Sequence, residues 1–152
     1  ALASTENVNP RIPANVEAAA LAKMADRKQI TGAMVDGPLA LDNAISPESA
    51  QIKGIKSEVA GYAHILSTPD REAGNVLAKP ITYFAQHPMA GVVVGARIPM
   101  IVPSRADTAE SKFDSICLGV DRFWSAPSLS AAVTKVGLSL MGLVAIRTSI
   151  FI

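Results

Sequence analysis

The stretch Ala90-Gly91-Val92-Val93-Val94-Gly95-Ala96-Arg97-Ile98-Pro99-Met100-Ile101-Val102-Pro103-Ser104-Arg105-Ala106-Asp107 decides the fold class. It opens on a continuous β-branched run. Such a run reads as a strand buried on both faces, the pattern of a parallel sheet. Pro99 to Val102 reads as a second short strand, followed by the turn Pro103-Ser104-Arg105 and a helix over 107–118. Working back from here, strand-like and helix-like segments alternate. Val59 to Leu66 holds a strand, then the turn Ser67-Thr68-Pro69-Asp70, then a helix over 71–86 in which Pro80 predicts a kink or an early break. Ala33-Met34-Val35 is a shorter strand, followed by a turn-rich stretch to Ser46 and a helix over 47–53 with Ser46 as cap and Pro47 at its first position. Asn15 is expected to cap a helix over 16–28. Alternation at this spacing predicts an α/β fold with a mostly parallel sheet.

The bulk numbers agree with a packed domain. The chain has 152 residues, 49% hydrophobic and 18% charged, enough to bury a core. Its 14 basic and 13 acidic residues leave a net charge of +1, which argues for no nucleic acid and no membrane surface as partner. The one cysteine, Cys117, excludes an internal disulfide and a cysteine zinc cluster, fits a reducing cytoplasmic setting, and reads as a small buried hydrophobe beside Ile116 and Leu118. No metal site is expected: His64 and His87 lack ligand spacing and read as surface or loop residues. The opening residues lack a basic region followed by an apolar run, so they do not form a secretion signal. Their direct entry into Asn7-Val8-Asn9-Pro10 suggests a chain cut from something longer. From Asp121 onward the chain turns Ser/Ala/Leu-rich. Val136 to Ile146 is apolar but, at 11 residues, too short to span a bilayer, and a docked core helix is expected there.

Ligands of open α/β sheets sit at the carboxyl ends of strands, so three loops carry the chemistry. In Val35 to Ser46, Asp36, Asp42 and Asn43 crowd a Gly-Pro turn. They read either as turn residues bonded to backbone or as polar ligand contacts. In Pro69-Asp70-Arg71-Glu72-Ala73-Gly74-Asn75, acidic groups cap a helix while Gly74 permits close approach and Asn75 offers an amide. In Gly95 to Asp107, a hydroxyl, a guanidinium and a carboxylate gather at a helix start. That set suits an anion, or is a capped helix with Ser104 or Asp107 as cap and Arg105 in solvent. Dinucleotide, phosphate-loop and Gly-x-Ser-x-Gly signatures are absent.

These loops, in this order, resemble the phosphate acetyltransferase/butyryltransferase family. The stretches that carry the resemblance are Glu6-Asn7-Val8-Asn9-Pro10, Val35 through Glu48, Ala60-Gly61, Pro69-Asp70 with Glu72-Ala73-Gly74-Asn75, Tyr83-Phe84-Ala85, Ala90-Gly91-Val92 with Gly95-Ala96, and Ser104-Arg105-Ala106-Asp107. The resemblance implies a three-layer, mostly parallel sheet similar to the isocitrate and isopropylmalate dehydrogenases. Residues 1–120 would form the second domain of a two-domain enzyme and the start of the return to the first, and 121–152 a divergent or non-native tail. Family members are longer, so the N-terminal half would be missing. The implied reaction is reversible transfer of an acetyl or butyryl group between coenzyme A and inorganic phosphate, without metal or acyl-enzyme and with coenzyme A as substrate. By position, Ser104 would bond the reacting acyl phosphate, Arg105 would bind phosphate or developing charge, and Asp107 (then Glu110) would accept the thiol proton. Asp36, Asp42, Asn43, Asn75 and Arg97 would contact substrate, Arg97 at a coenzyme phosphate. The full-length enzyme would be a homodimer. The sequence departs from the family at Pro80, at His64 where an aspartate is common, and in the tail. The alternative reading is a non-catalytic α/β fragment that binds only coenzyme or a partner subunit; a dehydrogenase of the related superfold ranks last, its metal-binding aspartates and nicotinamide loop not being evident.

Overall fold

A computed structural model describes residues 1–125 and 143–145, with side chains for residues 1–120. The described residues form an α/β fragment of helices and short extended segments. It divides into two units, Ala1–Asn75 with Met141–Ile152, and Val76–Leu140.

In the first unit, helix α1 spans Pro13–Asp26. Pro13 stands at its first position, where a missing N–H costs nothing, and Ile12 occupies the cap position. The helix therefore starts earlier than expected, and Asn15 lies inside it instead of capping it. Asn15 is fully buried, and its amide donates to the carbonyls of Thr5 at 2.9 Å and Asn7 at 2.8 Å. A helical asparagine thus ties the Thr5–Asn7 stretch to α1. Helix α2, Leu41–Ile45, lies in the stretch expected to be only a turn. Helix α3, Pro47–Ile52, follows at once, and the Ser46 hydroxyl accepts from the Ser49 N–H at 3.2 Å as the sequence predicts.

Extended segments surround these helices. Residues 1–3 bond to the stretch around Leu39 through Ala3 N–H to the Leu39 carbonyl at 2.9 Å and Leu39 N–H to the Ala1 carbonyl at 3.1 Å, a parallel bridge. On their other side, Leu2 N–H donates to the Ser67 carbonyl at 2.8 Å. Strand β1 spans Ile65–Ser67 and pairs antiparallel with β2, Leu143–Ala145, with Leu66 opposite Val144. The expected strand over 59–66 is thus cut to its last residues. The cause is Gly61, at φ +85°, where an added Cβ would stand 2.6 Å from the Pro47 Cα, so the chain turns tightly there. Residues 143–145 form β2, so the docked helix expected over 136–146 does not run through them; the rest of that stretch lies outside the described residues. The core of this unit is Ala18, Leu39, Ala44, Ala50, Ala60 and Leu66.

Helix α4 spans Arg71–Tyr83, with the Asp70 carboxylate accepting from the Ala73 N–H at 2.7 Å. Pro80 does not break it at once. The helix continues to Tyr83, and the Phe84 N–H still reaches the Pro80 carbonyl at 2.9 Å. The largest departure follows. Residues 90–102 do not supply buried parallel strands. Val93 and Met100 exchange both backbone bonds, at 2.8 and 3.0 Å, in an antiparallel bridge. Gly95, at φ +100°, turns the chain between them, so the β-branched run pairs with its own continuation and Val93 remains 39% exposed.

Helix α5 spans Ala109–Ser125, starting two residues later than expected. Its cap is Thr108, whose hydroxyl oxygen accepts from the Ser111 N–H at 3.1 Å. The helix buries Ser111, Ser115 and Gly119, one stripe at i, i+4 and i+8. Cys117, expected inside, is exposed because it lies on the far side of the helix from that stripe.

Candidate functional site

The first unit holds Asp36, Asp42, Asn43 and Asn75. Asp36 folds its carboxylate onto the next backbone N–H, Gly37, at 2.7 Å, while its carbonyl accepts from the Ala1 nitrogen at 2.6 Å. Asp42 and Asn43 sit together on α2 but face opposite environments. Asp42 is exposed and ion-paired with Lys53 at 2.9 Å. Asn43 is fully buried, its amide donated to the Glu6 carboxylate at 3.2 Å. Lys53 also reaches Glu6 at 3.5 Å. Glu6, Asp42, Asn43 and Lys53 therefore form one network that fastens the Glu6-Asn7 stretch to α2 and α3. The bond to Lys53 holds the Asp42 carboxyl below its ordinary range, and Asp42 in turn holds the Lys53 ammonium above its own.

Glu6 and Lys53 are the members that sequence reasoning missed. Glu6 stood in a quoted motif without a role, and Lys53 follows the end of α3, 11 positions after the aspartate it pairs. Only their distance in sequence, 47 positions, concealed the contact. With its side chain enclosed, Asn43 acts by holding the loop; Asp42 and half-buried Asp36 keep surface to offer. Asn75 is exposed on α4, one residue beyond buried Gly74.

The second unit holds Arg97, Ser104, Arg105 and Asp107. The last three belong to the loop before α5, closed on itself by short bonds. The Ser104 N–H donates to Asp107 Oδ2 at 2.6 Å, and the Asp107 N–H donates back to the Ser104 carbonyl at 3.1 Å. Ser104 Oγ accepts from the Ala106 N–H at 3.4 Å, which leaves the hydroxyl proton free to donate outward. Ser104 and Asp107 are half-buried, while Arg105 is exposed and, among the described residues, has no ion-pair partner. The structure thus brings the serine and aspartate together and leaves the guanidinium beside them uncommitted. Because α5 begins at Ala109, Ser104 and Arg105 precede its first turn by about one turn's length of chain, and Thr108 takes the capping role expected of Ser104 or Asp107. Glu110 is exposed in that first turn. Arg97 is exposed in the turn between Val93 and Met100.

Among the described residues, no group of three His, Cys, Asp or Glu side chains is arranged to hold a metal ion, and no helix is long and apolar enough to cross a membrane.

An α/β phosphotransacylase is the class this fold resembles. The structure of a branched-chain phosphotransacylase from Enterococcus faecalis V583 matches it with a TM-score of 0.71 and 35% identity, over 81% of this chain and 44% of that one. The family described as "Phosphate acetyl/butaryl transferase" matches residues 1–120. The chain belongs to the phosphate acetyl/butyryl transferase family. Among its relatives, a phosphate acetyltransferase of Rhizobium meliloti is 54% identical over 114 residues, 75% of this chain and 36% of the relative. A probable phosphate butyryltransferase of Bacillus subtilis (strain 168) is 53% identical over 120 residues, 79% of this chain and 40% of the relative. The chain thus spans well under half the length of the curated relatives it matches.

Proposed function

We propose that this chain supplies one side of the active site of a phosphate acyltransferase, in which acyl-CoA and inorganic phosphate exchange to acyl phosphate and coenzyme A. The observation that carries this reading is the closed Ser104–Asp107 loop with Arg105 exposed at its edge, inside the region matched to the family. The Ser104 proton donates to an oxygen of the reacting acyl phosphate. The Arg105 guanidinium binds the phosphoryl group bidentately and stabilises charge that develops as the thiolate attacks the carbonyl. Asp107 keeps one oxygen on the Ser104 N–H and takes the thiol proton on its carboxylate, with Glu110 the second choice. Arg97 pairs with a coenzyme phosphate, and Asp36, Asp42 and Asn75 add polar contacts, with Asn43 holding the loop through Glu6. The names of the relatives support acetyl or butyryl as the acyl group.

In this reading the fold is the second domain of a two-domain enzyme with a three-layer, mostly parallel sheet like that of isocitrate and isopropylmalate dehydrogenases, followed by a divergent tail from about residue 121. The full-length enzyme is a cytoplasmic homodimer.

The test uses a single polypeptide in which this chain replaces the matched region of the Bacillus subtilis relative. Supplied with acetyl-CoA or butyryl-CoA and phosphate or arsenate, it is followed by thiol release. Ser104→Ala and Arg105→Ala are each expected to lower kcat/KM by about 10²–10³-fold. Unchanged turnover in both variants, with an active parent, would refute the assignment.

A further inference from the structure

The loop from Asp36 to Ser46 carries two carboxylates, Asp36 and Asp42, and no lysine or arginine. In the functional reading above it contacts coenzyme A and phosphate, which are anions. Uncompensated carboxylates would repel them. The fold brings a cation from outside the loop. Lys53, just after α3, places its ammonium 3.2 Å from Asp42 Oδ1 and 2.9 Å from Asp42 Oδ2, so both oxygens of one carboxylate meet the same charge. The ammonium also stands 3.5 Å from Glu6 Oε2, and that oxygen accepts from the amide of buried Asn43 at 3.2 Å. Glu6 thus anchors both Lys53 and the residue next to Asp42. The other ion pairs among the described residues, Lys23 with Asp26 and Arg71 with Glu72, each lie within one helix; Lys53 joins separate segments. An exposed ion pair contributes little to stability. Its charge still acts on an anion within a Debye length, about 8–10 Å at ordinary salt. The Ala1 nitrogen, which donates to the Asp36 carbonyl at 2.6 Å, becomes an uncharged amide once the chain is built into a longer polypeptide and does not replace Lys53 there.

We propose that Lys53 is a positioning residue for the anionic substrates: by neutralising Asp42 it lets the 36–46 loop approach a phosphoryl group that the bare carboxylate would repel. The inference rests on the part of the functional reading that sets this loop against substrate, and adds a residue to which that reading gives no role. Lys53 acts through Asp42, whose oxygens keep lone pairs for a hydroxyl or amide donor of the substrate.

The test uses the combined polypeptide described above. The KM for inorganic phosphate is measured for the parent, Lys53→Met, Lys53→Arg, and Lys53→Met together with Asp42→Asn, at low and at high salt. At low salt, Lys53→Met is expected to raise KM about fivefold with kcat within about twofold of the parent. At about 0.5 M salt the rise should shrink below about twofold, because screening removes the repulsion. Lys53→Arg should keep the parent KM. Adding Asp42→Asn to Lys53→Met should restore it, since the second change removes the charge that the first exposed. The Kd of desulfo-coenzyme A, measured by calorimetry, should follow the same pattern and is read even in a variant whose turnover is lost. An unchanged KM in Lys53→Met at low salt overturns the proposal. A rise that persists at high salt, or that the added Asp42→Asn leaves in place, also overturns it, because either result marks a packing role. If Ser104→Ala leaves turnover unchanged while the Lys53 pattern holds, the catalytic assignment falls and this one stands. A strong Ser104 effect beside a flat Lys53 response overturns the role of Lys53 alone.

Discussion

The two units solve the burial problem differently. In the first, the buried hydrophobic residues are Ala18, Leu39, Ala44, Ala50, Ala60 and Leu66, and the buried polar side chains Asn15 and Asn43 bond to neighbouring segments. In the second, the buried positions among the described residues are Ser111, Ser115 and Gly119, while Val76, Tyr83, Phe84, Ile98, Phe113, Ile116 and Val120 are exposed. Removal of apolar surface from water is the main favourable term in folding, at about 25 cal/mol per Å². The first unit also exposes apolar side chains, Met34, Ile52 and Tyr62 among them, but it encloses an apolar cluster of its own as well. The second holds its elements together by capping, backbone bridging and a small-residue helix contact. Ser104 and Asp107, on a loop of the less buried unit, are positioned by bonds within four residues and need no deep core.

The strongest way to break this comparison is to truncate one large apolar side chain in each unit. Leu66→Ala, at a site 2% exposed on β1, is expected to destabilise the chain by about 2–5 kcal/mol in urea unfolding. Phe113→Ala in this chain alone should stay within about 0.5 kcal/mol, since the ring is already in water. Similar losses at both positions would mean that α5 is covered within the chain.

The helix caps sharpen the comparison at intermediate size. Ser46→Ala removes the acceptor for the Ser49 N–H, and Thr108→Ala the acceptor for the Ser111 N–H. Each should cost about 1 kcal/mol. A larger loss at Thr108 in thermal unfolding would show that the second unit leans on its local bonds more than the first.

The smallest expected effect is that of pH on the Asp42–Lys53 pair, which is partly exposed and screened by salt. The folded Asp42 value lies below the ordinary 3.8, so its contribution is present above that pH and is lost as pH falls through the folded value. The folded Lys53 value lies above the ordinary 10.5, so its contribution is fully present below that pH and is lost as pH rises through the folded value. Amide hydrogen exchange over residues 41–46, corrected for intrinsic rates, should therefore show constant protection across neutral pH and faster opening at both extremes. Lys53→Met should remove both limbs.

Much of the local structure was legible. Ser46 and Pro47 announced α3, and Asp70 announced the start of α4. Asn15 misled because asparagine before an apolar period is a good cap, but Pro13 places the helix start ahead of it. The valine run at 92–94 misled because a strand buried on both faces and one half of a short bridge share the same composition; Gly95 was the clue that the chain turns. Of the site, Ser104, Arg105 and Asp107 were found as a group, and the structure joins two of them by a bond of 2.6 Å. Glu6 and Lys53 were missed because their partners are remote in sequence.

The sequence alone determined the family and the starts of α3 and α4, because capping bonds and backbone sterics act among residues within about four positions. Tertiary structure decided which face each helix buries and which charges meet. The α5 periodicity is satisfied equally with Phe113 inward or Ser111 inward, and the close approach of Gly119 to Ile101, with the Gly91 N–H donating to Ser115 Oγ, selects the small-residue face. In the same way, a glutamate at position 6 acquires a role only when chain closure brings Asn43 and Lys53 to it.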